Sequence, residues 1–141
     1  MEIGLLSCTS KKRSIPSPPA ELYMESTFFQ KARAFAEKEH DDWYILSAKH
    51  HLLQPDGPAI DPYDETLSGA RVGRKREWAQ TVFEQMKEQG LAAPDNRLIF
   101  HAGADYYDEL IPLLEGTDCT IEIPTEGLRI GEKLAWYKER L

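Results

Sequence analysis

Apolar runs of strand length alternate with stretches of helically spaced apolar residues four times along the chain, and this alternation constrains the fold more than any other feature. "EIGLLS", residues 2–7, is a short apolar run bounded by small polar residues and reads as a buried strand. "DWYILSA", "RLIFHAG" and "CTIEIP" are the next three. Between the first two, "STFFQKARAFAEKEH" sets Phe28, Phe29, Ala32, Phe35 and Ala36 on one helical face, with Ser26 or Thr27 as the N-cap. "GRKREWAQTVFEQMKEQG" does the same with Trp78, Val82, Phe83 and Met86, and Gly90 stops it. "ADYYDELIPLLEG" reads as helical, shortened or kinked by Pro112. "RIGEKLAWYKERL" closes the chain as an amphipathic helix, with Ile130, Leu134 and Tyr137 on one face.

Strand–helix alternation predicts a single α/β domain over residues 1–141: a three-layer αβα, Rossmann-like fold with a mainly parallel sheet of about four strands. A chain of this length buries about 68–70% of its unfolded surface and needs no staples. Cys8 and Cys119 have neither metal-ligand nor CxxC spacing, which predicts a reducing, cytoplasmic setting without disulfides. No secretory signal and no membrane-spanning run is visible in the sequence. The net charge of −7 argues against wholesale coating of DNA or RNA. Two basic clusters stand against that balance, Lys11–Lys12–Arg13 and Arg71–Arg74–Lys75–Arg76.

Right-handed crossovers place every strand-to-helix loop at the carboxyl edge of such a sheet, where ligands of open α/β folds bind. The loops expected there are rich in chemistry. The first carries Ser7, Cys8, Thr9, Ser10, Lys11 and Lys12, and the second Ser47, Lys49, His50 and His51. The third carries His101, Gly103, Asp105 and Tyr106. The opposite-edge loops, "KEHDD", "QGLAAPDN" and "EGTD", are ordinary turn material. Hydroxyls and lysines in the first loop are suited to an anion, and a lysine there can serve as nucleophile or base. A solvated turn is the plainer reading of the same residues. Cys8 reads as a nucleophile or as a buried structural thiol. Asp105 is a candidate helix cap, and Tyr106 or Tyr107 a candidate platform for a planar ring.

"PDGPAIDPYDETL" is stiffened by Pro55, Pro58 and Pro62. It reads either as a structural loop packed around Tyr63 or as a functional wall offering Asp61, Asp64 and Thr66. An aspartate there would face Lys11 or Lys49.

Taken together, "LLSCTSKK", "ELYMESTFFQKARAFAE", "WYILSAKHHLLQPD", "IDPYDETL", "HAGADYYDEL" and "GLRIGEKLAWYKERL" resemble a family of small uncharacterised bacterial and phage proteins. The S-A-K and P-Y motifs are also distantly similar to those of the YaaA peroxide-stress proteins, and more weakly to the core domain of archaeosine synthase. The resemblance implies a nucleobase, nucleotide or other anionic ligand at the carboxyl edge, or DNA or RNA; no cofactor is expected, and no metal, since His50 and His51 lack further ligands at workable spacing. It implies Lys11, Lys49 and His50 as catalytic candidates. It further implies Ser7, Cys8, Ser10, Lys12, Ser47, Tyr63, Thr66, Gly103, Tyr106 and Glu132 as substrate-binding candidates, with Gly131 beside them. The expected function is a nucleobase- or nucleotide-binding enzyme or a protein related to nucleic-acid base modification, with its site at the carboxyl edge; the alternative is a non-catalytic nucleic-acid- or partner-binding module in stress response or phage defence. His51 stands where the family pattern has glycine, so a positive φ there would strain this chain.

Overall fold

The computed structural model describes residues 1–141 as an α/β fold with five strands and six helices. In chain order these are β1 (Glu2–Ser7), α1 (Pro19–Leu22), α2 (Thr27–Glu39), β2 (Asp42–Ser47), β3 (His51–Leu53) and α3 (Val72–Glu88). Then follow β4 (Arg97–His101), α4 (Ala104–Tyr107), α5 (Ile111–Leu114), β5 (Thr120–Glu122) and α6 (Ile130–Arg140). The sheet order is β3-β2-β1-β4-β5. β1 pairs in parallel with β2 and β4, and β4 with β5, whereas β3 is antiparallel to β2.

The expected α/β class holds; the sheet has five strands rather than about four, and is mixed because one antiparallel pairing joins three parallel ones. The extra strand folds straight back from β2, pairing Ser47 with His51, and hides in sequence because it is three residues long. α1 also lies where only loop was expected, and Pro112 divides the 104–116 segment into α4 and α5. No helix is long and apolar enough to cross a membrane.

Alternation along β4 assigns the helices to faces. Phe100 meets Tyr107 of α4, while His101 meets Phe35 of α2 and Tyr137 of α6 on the other side. α3 packs with α4 and α5. β1 is buried from Ile3 to Ser7, because it has a strand on each side and helices on both faces.

A polar chain crosses the α2–α6 face. The His101 Nδ1 lies 2.6 Å from the Tyr137 hydroxyl, and its Nε2 lies 2.8 Å from the His40 Nε2. The His40 Nδ1 faces Glu2 at 3.4 Å. One tautomer set fits throughout: Tyr137 donates to His101, His101 to His40, and the remaining His40 N–H points at the Glu2 carboxylate. Burial, followed by the neighbouring His40, pushes His101 down to about 3. Burial also lowers His40, against the pull of Glu2. Gly4 admits this pair, since a Cβ there would sit 2.8 Å from the His40 ring.

Two outcomes follow from that chain. Gly4→Ala should lose about 1–3 kcal/mol in urea denaturation, because the ring is pinned at both ends and cannot yield. Burial holds both imidazoles below their ordinary range in the folded protein, whereas the unfolded chain takes up protons near pH 6.5. The unfolded state therefore binds more protons below that value. Stability should be full above about pH 6.5 and fall as the pH drops toward 3. Denaturation midpoints that are flat between about pH 7.5 and about pH 5 would contradict this.

Candidate functional site

β1 ends at the point where the chain reverses its progress across the sheet. The loop after β1 leads to α2 on one face, and the loop after β4 leads to α4 on the other. A crevice opens between diverging loops of this kind. Cys8 extends the β1–β2 ladder by one bond, its N–H donating to the Leu46 carbonyl at 2.9 Å. Its buried thiol accepts the Ala48 N–H at 3.4 Å and lies 3.3 Å from the Tyr106 hydroxyl. The cysteine thus joins the loops that follow β1, β2 and β4.

After Cys8 the Thr9 hydroxyl donates to the Lys11 carbonyl at 3.1 Å, and the chain turns. The turn sends Lys11 outward and Lys12 inward. The Lys12 ammonium sits 4.5 Å from the centre of the Tyr63 ring and 5.9 Å from that of Tyr23, within cation–π range. It takes part in no ion pair. Burial lowers its pKa, against the opposing pull of Cys8, Asp64 and Glu65.

The proline-rich loop forms the facing wall. Tyr63 fastens it from beneath, its hydroxyl 2.6 Å from that of Tyr23 and 2.7 Å from the Ser47 Oγ. Ser47 accepts the His50 N–H at 2.9 Å, and its carbonyl accepts the Trp78 indole N–H at 2.8 Å. Ser17 and Ile60 exchange backbone bonds, and the Ala20 N–H reaches the Pro55 carbonyl at 2.8 Å. Burial pushes the phenols of Tyr23 and Tyr63 well above their ordinary range, so both remain protonated donors. So anchored, the loop presents Asp64, Glu65, Thr66 and Ser68 to a cleft of about 420 Å³. Cys8, Thr9, Ser10, Lys12 and Tyr106 line its other side.

The cleft brings together Cys8, Ser10, Lys12, Thr66 and Tyr106 from among the residues that the sequence picks out. Ser7, Ser47 and Tyr63 are buried beneath it. Lys11 lies on a groove to one side. Lys49 lies on the other, 3.9 Å from Glu65 rather than facing an aspartate. His50 packs against the edge of Tyr63 outside the lining, its pKa lowered by burial and then by Lys49. Glu132 caps its own helix by accepting the Arg129 N–H at 3.0 Å. Gly103 precedes α4 in ordinary extended backbone with open space around it, and Gly131 is likewise uncrowded.

Three expectations change in detail. Asp105 does not cap α4 but pairs with Lys75 at 2.6 Å. Tyr106 offers its hydroxyl to the cleft, while its ring is only 8% exposed and packs edge-on against Trp78. Asp61 stays outside the lining, and Asp64 enters it. Thr9 enters the lining as one of the first loop's hydroxyls, whereas Glu65 and Ser68 were not visible as site residues; the unbroken polar run from Asp64 to Thr66 was the only signal for Glu65. No group of three or more His, Cys, Asp or Glu side chains converges as a metal centre.

The chain belongs to a family of unknown function (DUF6884), whose model matches residues 3–139. No curated protein and no solved structure matches it.

His51 has φ +65°, the single non-glycine residue with positive φ. The bend lets β3 turn back onto β2 directly after Lys49 and His50. An L-residue pays about 1–2 kcal/mol in this region, and glycine about 0.5–1 kcal/mol in chain entropy. His51→Gly should therefore hold or gain up to about 1 kcal/mol in urea denaturation, and His51→Val should lose more than 1 kcal/mol.

Proposed function

We propose that the protein is an enzyme acting on a nucleobase or nucleotide held in the cleft between Cys8–Lys12 and Asp64–Ser68. One observation carries this reading. A partly desolvated lysine, resting on an aromatic ring and free of any ion pair, shares one cleft with a thiol, a phenol and two carboxylates.

Each group has work to do on a polar heterocycle. Asp64 and Glu65 accept hydrogen bonds from ring N–H or exocyclic amino groups. Ser10, Thr66 and Ser68 both donate and accept. Lys12 holds a developing negative charge or, with its pKa lowered by burial, passes a proton to or from the ring. Catalysis in this reading moves from Lys11, Lys49 and His50 to Lys12, with Cys8 and Tyr106 as its neighbours. A simple phosphate-binding function fits less well, since two carboxylates would repel the anion.

The cleft's place at the reversal point of the strands supports the same reading, as does treating β1, β2, β4 and β5 as a Rossmann-like core with β3 added at its edge. The S-A-K and P-Y motifs, if they mark kinship with YaaA proteins and archaeosine synthase, would point in the same direction, and two unpaired cysteines fit a cytoplasmic enzyme.

The alternative, a binding module that uses the Arg71–Arg76 cluster, is weakened by how that cluster is spent. Lys75 is paired with Asp105, Arg76 with Glu109 at 3.2 Å, and Arg74 donates to the Thr66 carbonyl at 3.2 Å.

Thermal melting against a panel of free nucleobases, nucleosides and nucleotides tests the proposal. At about a hundred times its dissociation constant a ligand adds about 2.7 kcal/mol, enough to raise the melting temperature by several degrees. Lys12→Ala should stay folded and abolish the rise. A panel that leaves the parent unmoved, with oligonucleotides binding on a steep salt slope that Lys12→Ala leaves untouched, would replace the enzyme with the binding module.

A further inference from the structure

The cleft does not end at its own walls. On one side Thr9 and Ser10 also line a groove of about 480 Å³ that runs between α2 and α6. Phe28 and Leu134 form its apolar bed, Ile130 stands 61% exposed beside them, and Lys11 flanks it. On the other side Glu65 is shared with a hollow of about 390 Å³ against α3, which holds Lys49 and Arg74. Three contiguous depressions therefore cross the carboxyl edge of the sheet from one helical face to the other.

Their charges are arranged in order. The middle depression carries Asp64, Glu65 and the desolvated lysine; one flank carries Lys11, and the other carries Lys49 and Arg74 beside Glu77. Lys11 is exposed and joins no ion pair. Lys49 has one loose partner at 3.9 Å and is 47% exposed. A free nucleotide has its phosphate at one end and leaves one of these flanks unused. A strand has a phosphate on each side of every internal nucleotide.

From this geometry we infer that the substrate is a single-stranded nucleic acid, with one base in the central cleft and the backbone passing Lys11 on one side and Lys49 on the other. This rests on the nucleobase reading of the cleft and names the molecule to which that base belongs. The path bends over the sheet edge, which a flexible strand follows and a duplex resists, since duplex DNA stays stiff over about 150 base pairs. A base must also leave its stack to enter a cleft of this kind, and a single strand yields it at least cost. Phe28 and Ile130 give the neighbouring base an apolar surface of the sequence-tolerant kind found in single-strand grooves. The acidic balance of the whole chain disfavours binding over the surface at large, and Lys11, Lys12, Lys49 and Arg74 are the cations that line this path.

Equilibrium titration at several salt concentrations decides the matter, using labelled single-stranded DNA and RNA hexamers, the constituent mononucleotides, and a blunt duplex of the same sequence. The hexamer of one sugar type should bind at least about tenfold more tightly than any mononucleotide, and more tightly than the duplex. Lys11→Ala and Lys49→Ala should each lower the hexamer-to-mononucleotide affinity ratio several-fold, and should reduce the slope of log affinity against log salt by about 0.7. Lys12→Ala should lose both ligands. Mononucleotides that bind as tightly as the hexamer, or unchanged slopes in both flank variants, would overturn the strand and leave the base cleft standing. A tighter duplex would overturn the single-stranded class. Failure of every mononucleotide and every hexamer would remove the nucleobase reading itself, and the strand with it.

Discussion

Everything at the carboxyl edge depends on β1 being the central strand. It is paired in parallel on both sides and covered on both faces, so its last residues have one way out, upward between the loops of its neighbours. Cys8 is the first residue past that exit, and it is already bonded to the loops after β2 and β4. The thiol's contacts are therefore those of a junction. They hold three loops in register, and the groups that these loops carry are positioned as a consequence. A junction this buried also explains how a cleft open to solvent keeps its shape on its β1 side.

The opposite side of the cleft is built differently. A loop with three prolines has little entropy to lose, but prolines donate no backbone hydrogen bonds, so other groups must fasten it. The Tyr23–Tyr63–Ser47 hydroxyl chain does this from inside the core. Its geometry also has a chemical effect. Because the Tyr63 hydroxyl is turned inward to its two partners, the ring face is left to Lys12. The loop's structural anchor is thus also the lysine's support. The loop is packed around Tyr63, as one of the two readings of the sequence has it, and the same loop lines the cleft.

Legibility in the sequence followed the length of the signal. Long, periodic segments such as 27–39 and 72–88 declare themselves, since their buried faces recur at helical spacing. β3 does not, because three residues contain no period, and its bend is carried by a histidine where a glycine would have announced it. The edge of the sheet at which chemistry gathers was legible from loop composition alone. The inward or outward direction of adjacent lysines was not. Lys11 and Lys12 are chemically alike in sequence, and a single turn closed by the Thr9 hydroxyl separates them. Glu132 shows the converse limit, because a helix-capping glutamate and a ligand-binding one look the same until the Arg129 N–H is seen to use it.

The same sorting applies to the positive charges, and it gives the site its character. Lys75, Arg76, Arg33 and Arg97 are committed to carboxylates within the chain, where they hold elements together. Lys12 is not. A cation held on an aromatic face gives up part of its hydration without gaining a counter-ion, so its charged form is less favoured than that of a surface lysine. Two carboxylates line the same cleft but form no ion pair with it, and their charge opposes the effect of burial. The result is an amine with a lowered pKa in a cleft that also holds donors and acceptors. Evolution has simpler ways to make a salt bridge or a solvated surface. Keeping a lysine uncommitted in such surroundings has an energetic cost, and that cost makes physical sense where the lysine must exchange a proton or meet a charge that arrives with a ligand.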